Sequence, residues 1–294
     1  MSVRILLILA CATIALASCK KENEIAYPTP NPSGEFLKFL PGLVSSDSTF
    51  EFNALFGPDG KTFYFSRNEI HDIYATTFDG TNWSAPVMTS FSEKDYKECD
   101  PAFSPDGKLY YISTRKKDAA DSTPDFDIWF VEKQGKTWSA PRNLEIVNSD
   151  SSEYYVSFAG NGNLYFASNR AGGKGSFDIY VSRFVNGAYT TPENVGAAIN
   201  DEHFEHDPFI SSDENLLIYT SVNREGGLGR GDLYFATKDH AGNWTPARNL
   251  GPSINGPDYD FCPYISPDGK YFFYSDNNDV KWVDIARLKK VTSQ

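Results

Sequence analysis

Cysteine, methionine, basic charge and long apolar runs are what this chain has little of. It carries 4 Cys, 2 Met and 4 His in 294 residues. Beyond the opening stretch only Cys99 and Cys262 remain, too few for a disulfide framework, and they read as buried thiols. Lys and Arg total 27 against 39 Asp and Glu, a net charge of −12. A phosphate-binding surface needs the opposite sign, so a nucleic-acid partner is excluded. No apolar run is long enough to span a bilayer. No Gly-x-Ser-x-Gly elbow occurs, and no nucleophile stands beside a recognisable base. What is abundant is aromatic: 17 Tyr and 22 Phe, with 22 Gly and 17 Pro. Such a mixture supplies a core, excludes a disordered chain, and points to strands and tight turns rather than a helical bundle.

The first nineteen residues read as an address. Arg4 supplies a positive start, Ile5 to Leu16 is a short apolar stretch, and Leu16-Ala17-Ser18-Cys19 closes it. That ending resembles the lipobox of bacterial lipoproteins. The resemblance implies cleavage before Cys19, fatty acylation (palmitate-type chains) of its thiol and new amino group, and anchoring in a membrane. Lys20 follows, without the Asp that marks inner-membrane retention, which favours the outer membrane, facing the periplasm or the outside. Residues 20–34 hold Pro28, Pro30, Pro32 and Gly34 and read as a flexible tether.

Residues 35–291 repeat one motif five times. Turn signals stand at Gly57-Pro58-Asp59-Gly60, Ser104-Pro105-Asp106-Gly107, Gly160-Asn161-Gly162, Ser212-Asp213-Glu214 and Ser266-Pro267-Asp268-Gly269. Their spacing of about 50 residues is a repeat period. Each turn is followed by an aromatic strand such as Thr62-Phe63-Tyr64-Phe65 or Tyr271-Phe272-Phe273-Tyr274. A third strand opens on an acid: Asp72, Asp127, Asp178, Asp232 and Asp279. A fourth segment reads Trp83-Ser84-Ala85-Pro86, Trp138-Ser139-Ala140-Pro141, Tyr189-Thr190-Thr191-Pro192 and Trp244-Thr245-Pro246, in which Pro suits an edge strand. Four strands per repeat predict an all-β propeller of five four-stranded antiparallel blades. The Ser-Pro-Asp-Gly-Lys turn, the Tyr-Phe-x-Ser-x-Arg strand and the Asp-Ile-Tyr strand resemble the WD-like β-propeller repeat of the TolB type. That resemblance implies six blades as the alternative, but no segment is long enough for a sixth. Repeat five ends early, and Phe39-Leu40-Pro41-Gly42-Leu43-Val44 resembles the end of a repeat. The N-terminal piece is therefore expected to complete the last blade and close the ring.

Eight positions before each turn mark stand Glu51, Glu98, Glu153, Glu205 and Asp260. Near the start of the inner strand, they predict an acidic ring at one mouth of the channel. Arg67, Arg115, Arg170 and Arg224 end the second strands at the same level, where an antiparallel hairpin brings strand ends together. Either each arginine pairs with the acid of its own blade, or the two sets read a polar ligand or hold a cation, for which calcium is the candidate. Repeat five has Asp276 or Asn277 in the arginine place, which leaves Asp260 without that partner. His203 and His206 stand among acids with a spacing that suits a metal, though a solvated acidic loop explains them equally. Gly172-Gly173-Lys174-Gly175-Ser176 lacks the full phosphate-loop spacing and joins two strands.

These features support a non-catalytic envelope scaffold that binds a protein, peptide or glycan on its loop-bearing face, with no cofactor required. Two other readings stay open: a glycoside hydrolase using carboxylates of the channel mouth, and a structural component of a Tol-like or peptidoglycan-linked assembly.

Overall fold

A computed structural model describes residues 23–67, 72–121, 125–276 and 279–293. The signal segment 1–19, with Cys19, lies outside the described residues, as does Asn277. Five four-stranded antiparallel sheets form the ring. Taken from the inner strand outward, blade one is Glu51–Phe56, Thr62–Arg67, Asp72–Thr77 and Val87–Met88. Blade two is Glu98–Phe103, Leu109–Ser113, Asp127–Val131 and Arg142–Asn143. Blade three is Glu153–Phe158, Leu164–Ser168, Asp178–Ser182 and Glu193–Asn194. Blade four is Phe204–Ile210, Leu216–Val222, Gly231–Thr237 and Arg248–Asn249. Blade five takes Phe261–Ile265, Tyr271–Ser275 and Val280–Asp284 from the C-terminal end and Leu37–Lys38 from the N-terminal end. A short helix, Ile285–Thr292, follows. Among the described residues no helix is long and apolar enough to cross a membrane.

Ring closure works as the repeat pattern predicts. Leu37 pairs with Trp282 and Lys38 with Lys281. The two-residue ladder is extended by the Phe39 N–H, which donates to the Val280 carbonyl at 2.8 Å. Packing carries most of the seam: Phe39 is fully buried, with its ring 4.4 Å from Phe63, 5.3 Å from Phe273 and 5.4 Å from Trp282. Burying a side chain of that size stabilises by ~2–3 kcal/mol.

Turn chemistry explains the hairpin tips, including the odd one. Gly60 sits at φ +68°, where an L side chain is strained. In blade four Glu214 takes that left-handed place at φ +59°. Its carboxylate accepts from the Tyr165 hydroxyl at 2.6 Å and from Asn161 and Asn163 at 3.0 Å, all on blade three. The interblade bonds offset a backbone cost of ~1–2 kcal/mol.

Two expectations differ from the structure. The fourth strand begins directly after the proline in blades one to three and two residues after Pro246 in blade four, not on the Trp-x-x-Pro segments. Trp83 bridges to Phe78, and Thr137–Trp138 pairs with Lys133–Gln134, so these tryptophans close a hairpin extension of the third strand. Proline thus stands just ahead of the ladder, where a missing N–H costs nothing. The segment 20–34, read as a flexible tether, is held against the propeller from Asn23 onward. The Tyr27 ring packs on Phe56, Tyr271 and Trp282 at 5.4, 4.6 and 5.8 Å. A proline-rich chain without internal hydrogen bonds can lie along a surface when one aromatic anchors it.

Candidate functional site

All five inner strands start at one end of the ring. The loops between second and third strands, and the connections into each blade, gather there and form a loop-bearing mouth. The acid opening the third strand organises these loops. Asp178 accepts from the amides of Lys174 (2.7 Å) and Gly175 (2.9 Å) and from Asn194 Nδ2 (2.7 Å). Asp232 does the same with Leu228, Gly229 and Asn249. Two amides of each glycine-rich run are therefore spent on the blade's own carboxylate, which is a loop-closing role. A Cβ at Gly175 has no room beside the His203 carbonyl, so glycine lets this loop press against the next blade.

The predicted acids and arginines meet in three blades. Glu51, Glu98, Glu153 and Glu205 have no exposed surface, and Asp260 has 2%. Arg67 Nε lies 2.9 Å from Glu51 Oε1, Arg115 Nη2 3.0 Å from Glu98 Oε1, and Arg170 Nη2 2.8 Å from Glu153 Oε1. The same guanidinium groups donate to the carbonyls of Leu43 (2.5 Å), Phe91 (3.4 Å) and Val147 (2.7 Å) in the incoming connections. The other carboxylate oxygen accepts from the amides of Ser46 (3.0 Å), Glu93 (2.8 Å) and Ser149 (3.2 Å). Each pair so ties the chain entering a blade to that blade's second strand. Burial holds these three carboxyls above their ordinary value, although their hydrogen bonds and arginines pull against it.

Blade four departs from this arrangement. Arg224 pairs with Asp201 at 3.0 Å and donates to the Tyr219 hydroxyl at 3.1 Å. That hydroxyl in turn donates to the Ile199 carbonyl, the group that an arginine reaches in the other blades. Glu205 is left with the Ser221 hydroxyl (3.1 Å) and the Asp201 amide (3.3 Å). Burial, and then the neighbouring Asp201 charge, push it up to about 8. Asp260 has no arginine either; it accepts from the Gly256 amide at 2.7 Å, and burial pushes it to about 6.

The two histidines do not form one site. Ligand atoms of Asp201, His203 and Glu205 lie within 4.8 Å of one another, but Arg224 already supplies positive charge there. His206 faces elsewhere, with Nδ1 2.9 Å from Asp207 Oδ1 and Nε2 2.6 Å from the Tyr259 hydroxyl.

The axis itself is built by residues of which the sequence reading singled out only Cys262, as a buried thiol. Every inner strand carries a bulge, and at each bulge one residue turns left-handed: Asn53, Asp100, Tyr155, Asp207 and Cys262. They meet across the channel. Asn53 Nδ2 donates to Asp100 at 3.4 Å, the Cys262 thiol to Asp207 at 3.3 Å, and the Tyr155 hydroxyl to the Pro263 carbonyl at 3.0 Å. Burial and the Asp207 charge raise the Asp100 carboxyl. Burial raises both thiols well above their ordinary value, so Cys99 and Cys262 are inert. Asn and Asp tolerate the left-handed region best. Their recurrence six positions before three of the five turn marks is the signal that marks this ring.

Above the axis runs an arc of rings. Phe126 contacts Tyr154, which stacks on Phe177 at 4.8 Å; Phe177 meets Phe204, and Phe204 meets His206. The arc continues through Tyr259 and Phe261 to Phe52 and Phe50. It touches blades one to five, and Phe50, Phe126, Tyr154, Phe177, Phe204 and Tyr259 are only partly buried. Partly exposed aromatic rings around a polar floor offer stacking and hydrogen bonding together.

No family model matches the chain, and no curated protein is significantly similar to it. Among solved structures, a glycoside hydrolase superposes with a TM-score of 0.56 at 13% identity, over 87% of this chain and 91% of that one. The likeness is one of fold. TolB from Acinetobacter baumannii gives 0.49 at 15% identity, over 82% of this chain and 56% of that one. A putative TolB from Agrobacterium tumefaciens gives 0.48 at 17% identity, over 78% and 70%. TolB-like propellers thus stand among the structural neighbours of this five-bladed ring.

Proposed function

We propose that the chain is a bacterial envelope lipoprotein, acylated at Cys19 and held in the outer membrane, whose propeller is a non-catalytic binding scaffold. The loop-bearing mouth takes a protein, peptide or glycan. The observation that carries this reading is the aromatic arc, which gives all five blades a share in one partly exposed surface. The burial of the predicted acids supports it. Carboxylates without exposed surface, engaged by arginine, serine or backbone amides, cannot meet a sugar. On this reading the acids and arginines are clamps within blades, and no cation is needed at Glu51, Glu98 or Glu153.

The test is capture of envelope proteins, peptidoglycan fragments and arrayed glycans by the soluble form lacking residues 1–19. Tyr154→Ala and Phe204→Ala should each weaken the captured ligand at least tenfold without lowering thermal stability by more than a few degrees. Unchanged affinity in both variants would remove the mouth from the account.

One observation favours the hydrolase reading. Asp100 and Asp207 stand together on the axis, and burial with mutual repulsion keeps Asp100 protonated over a wider pH range than usual, as a general acid requires. Turnover of aryl glycosides that disappears in Asp100→Asn would replace the scaffold by an enzyme.

A further inference from the structure

The course of residues 23–36 decides which face of the propeller meets the membrane. Asn23 Nδ2 donates to the Pro58 carbonyl at 2.9 Å, and the Ala26 N–H donates to the Gly60 carbonyl at 2.8 Å. Both acceptors lie on the first hairpin tip of blade one. The Tyr27 hydroxyl then donates to Asp268, on the matching tip of blade five, at 2.7 Å. The Gly34 carbonyl accepts from Arg287 at 2.6 Å, and the strand Leu37–Lys38 follows on the outside of blade five. The segment is a strap: it crosses the hairpin-tip face, opposite the mouth, and then runs up the side of the ring.

Cys19 precedes Asn23 by four residues, a reach of at most ~14 Å at ~3.5 Å per residue. An inner strand of 6 residues such as Glu51–Phe56 spans ~20 Å at ~3.3 Å per residue, and turns and loops lengthen the blade at both ends. The leash is shorter than the blade is tall. We propose that the hairpin-tip face lies against the anchoring membrane and that the mouth opens away from it. This rests on acylation of Cys19 and narrows the ligand: it arrives from the aqueous side, as a soluble or cell-wall molecule and not a lipid of the anchoring leaflet.

Energy transfer to a bilayer tests the orientation. The full-length acylated protein is placed in vesicles containing headgroup-labelled acceptor lipid. A donor dye is attached at Ala241→Cys, on a hairpin of blade four, or at Glu202→Cys, at the mouth of the same blade. Buried Cys99 and Cys262 stay unlabelled. Transfer from position 241 should be at least twofold greater than from position 202, and Tyr27→Ala, which frees the strap, should narrow the difference. Equal transfer from both positions, or more from 202, overturns the orientation while leaving the anchor intact. Protein that mass spectrometry shows unacylated, and that does not float with vesicles, overturns the anchor and the orientation together.

Discussion

Glu98 and Glu205 hold the same place in blades two and four, yet the same substitution should act on them in opposite directions. Glu98 has Arg115 at 3.0 Å, whereas Glu205 has Asp201 beside it. The Glu205 carboxyl rises from its ordinary 4.5 to about 8. An acid raised in this way keeps a proton in the folded chain that the unfolded chain has already released. Its contribution is fully present below pH ~4.5, declines as pH climbs, and levels off above pH ~8. At ~1.4 kcal/mol per pH unit the ceiling of that loss is ~5 kcal/mol. Glu205→Gln has the shape of the protonated acid, can donate toward Asp201 as that acid does, and cannot ionise. It should stabilise the protein at pH 8.5 by ~2–4 kcal/mol, within that ceiling, and have little effect at pH 4.5. Glu98→Gln should instead cost ~1–3 kcal/mol at pH 8.5, because Arg115 gives up its charged hydrogen bond to Glu98 and keeps only the more exposed Glu93 as counter-charge. Urea melts followed by circular dichroism at the two pH values measure both. Equal destabilisation by the two substitutions at pH 8.5 would refute the reasoning.

Other outcomes follow from the packing. Phe39→Ala should cost ~3–5 kcal/mol in urea melts, since the closing strand has only two ladder residues to fall back on. Gly60→Ala combines a left-handed φ of +68° with a Cβ 2.5 Å from the Glu24 carbonyl oxygen; hydrogen exchange at the Ala26 amide should quicken at least tenfold. Glu214→Gln weakens the charged acceptor shared by Tyr165, Asn161 and Asn163 and should cost ~1–3 kcal/mol, a loss that melting curves will register. Cys99 and Cys262 should ignore a thiol reagent at pH 8 in the native protein and react fully in denaturant.

Much of the architecture is legible because it is repeated. The Pro-Asp-Gly turns and the acid-led third strands fix the hairpins, and the early end of repeat five points to the N-terminal closing strand. The outer strands are less legible. Two-residue ladders beside a proline carry little pattern, and the bulky tryptophan draws the eye one segment too early. The strap is hidden for a different reason: composition marks residues 20–34 as a flexible tether, and only the packed rings of blades one and five explain why Tyr27 docks there. His203 lies in the bend before the strand Phe204–Ile210 that carries His206, and its ring is held by Asp201 while His206 is held by Tyr259. The axial ring escapes a count of acids because its five members, Asn53, Asp100, Tyr155, Asp207 and Cys262, share a backbone conformation and not a chemistry. The aromatic arc is assembled from residues beside the acids, so it emerges only once the blades are closed.

The central claim is that ligand is held at the loop-bearing mouth. Site-specific photo-crosslinking in intact cells addresses it directly, with benzoylphenylalanine replacing Tyr154 at the mouth or Phe184 on a hairpin of the opposite face. The account predicts a discrete ultraviolet-dependent adduct from position 154 and none from position 184. Adducts from 184 with none from 154 would contradict it.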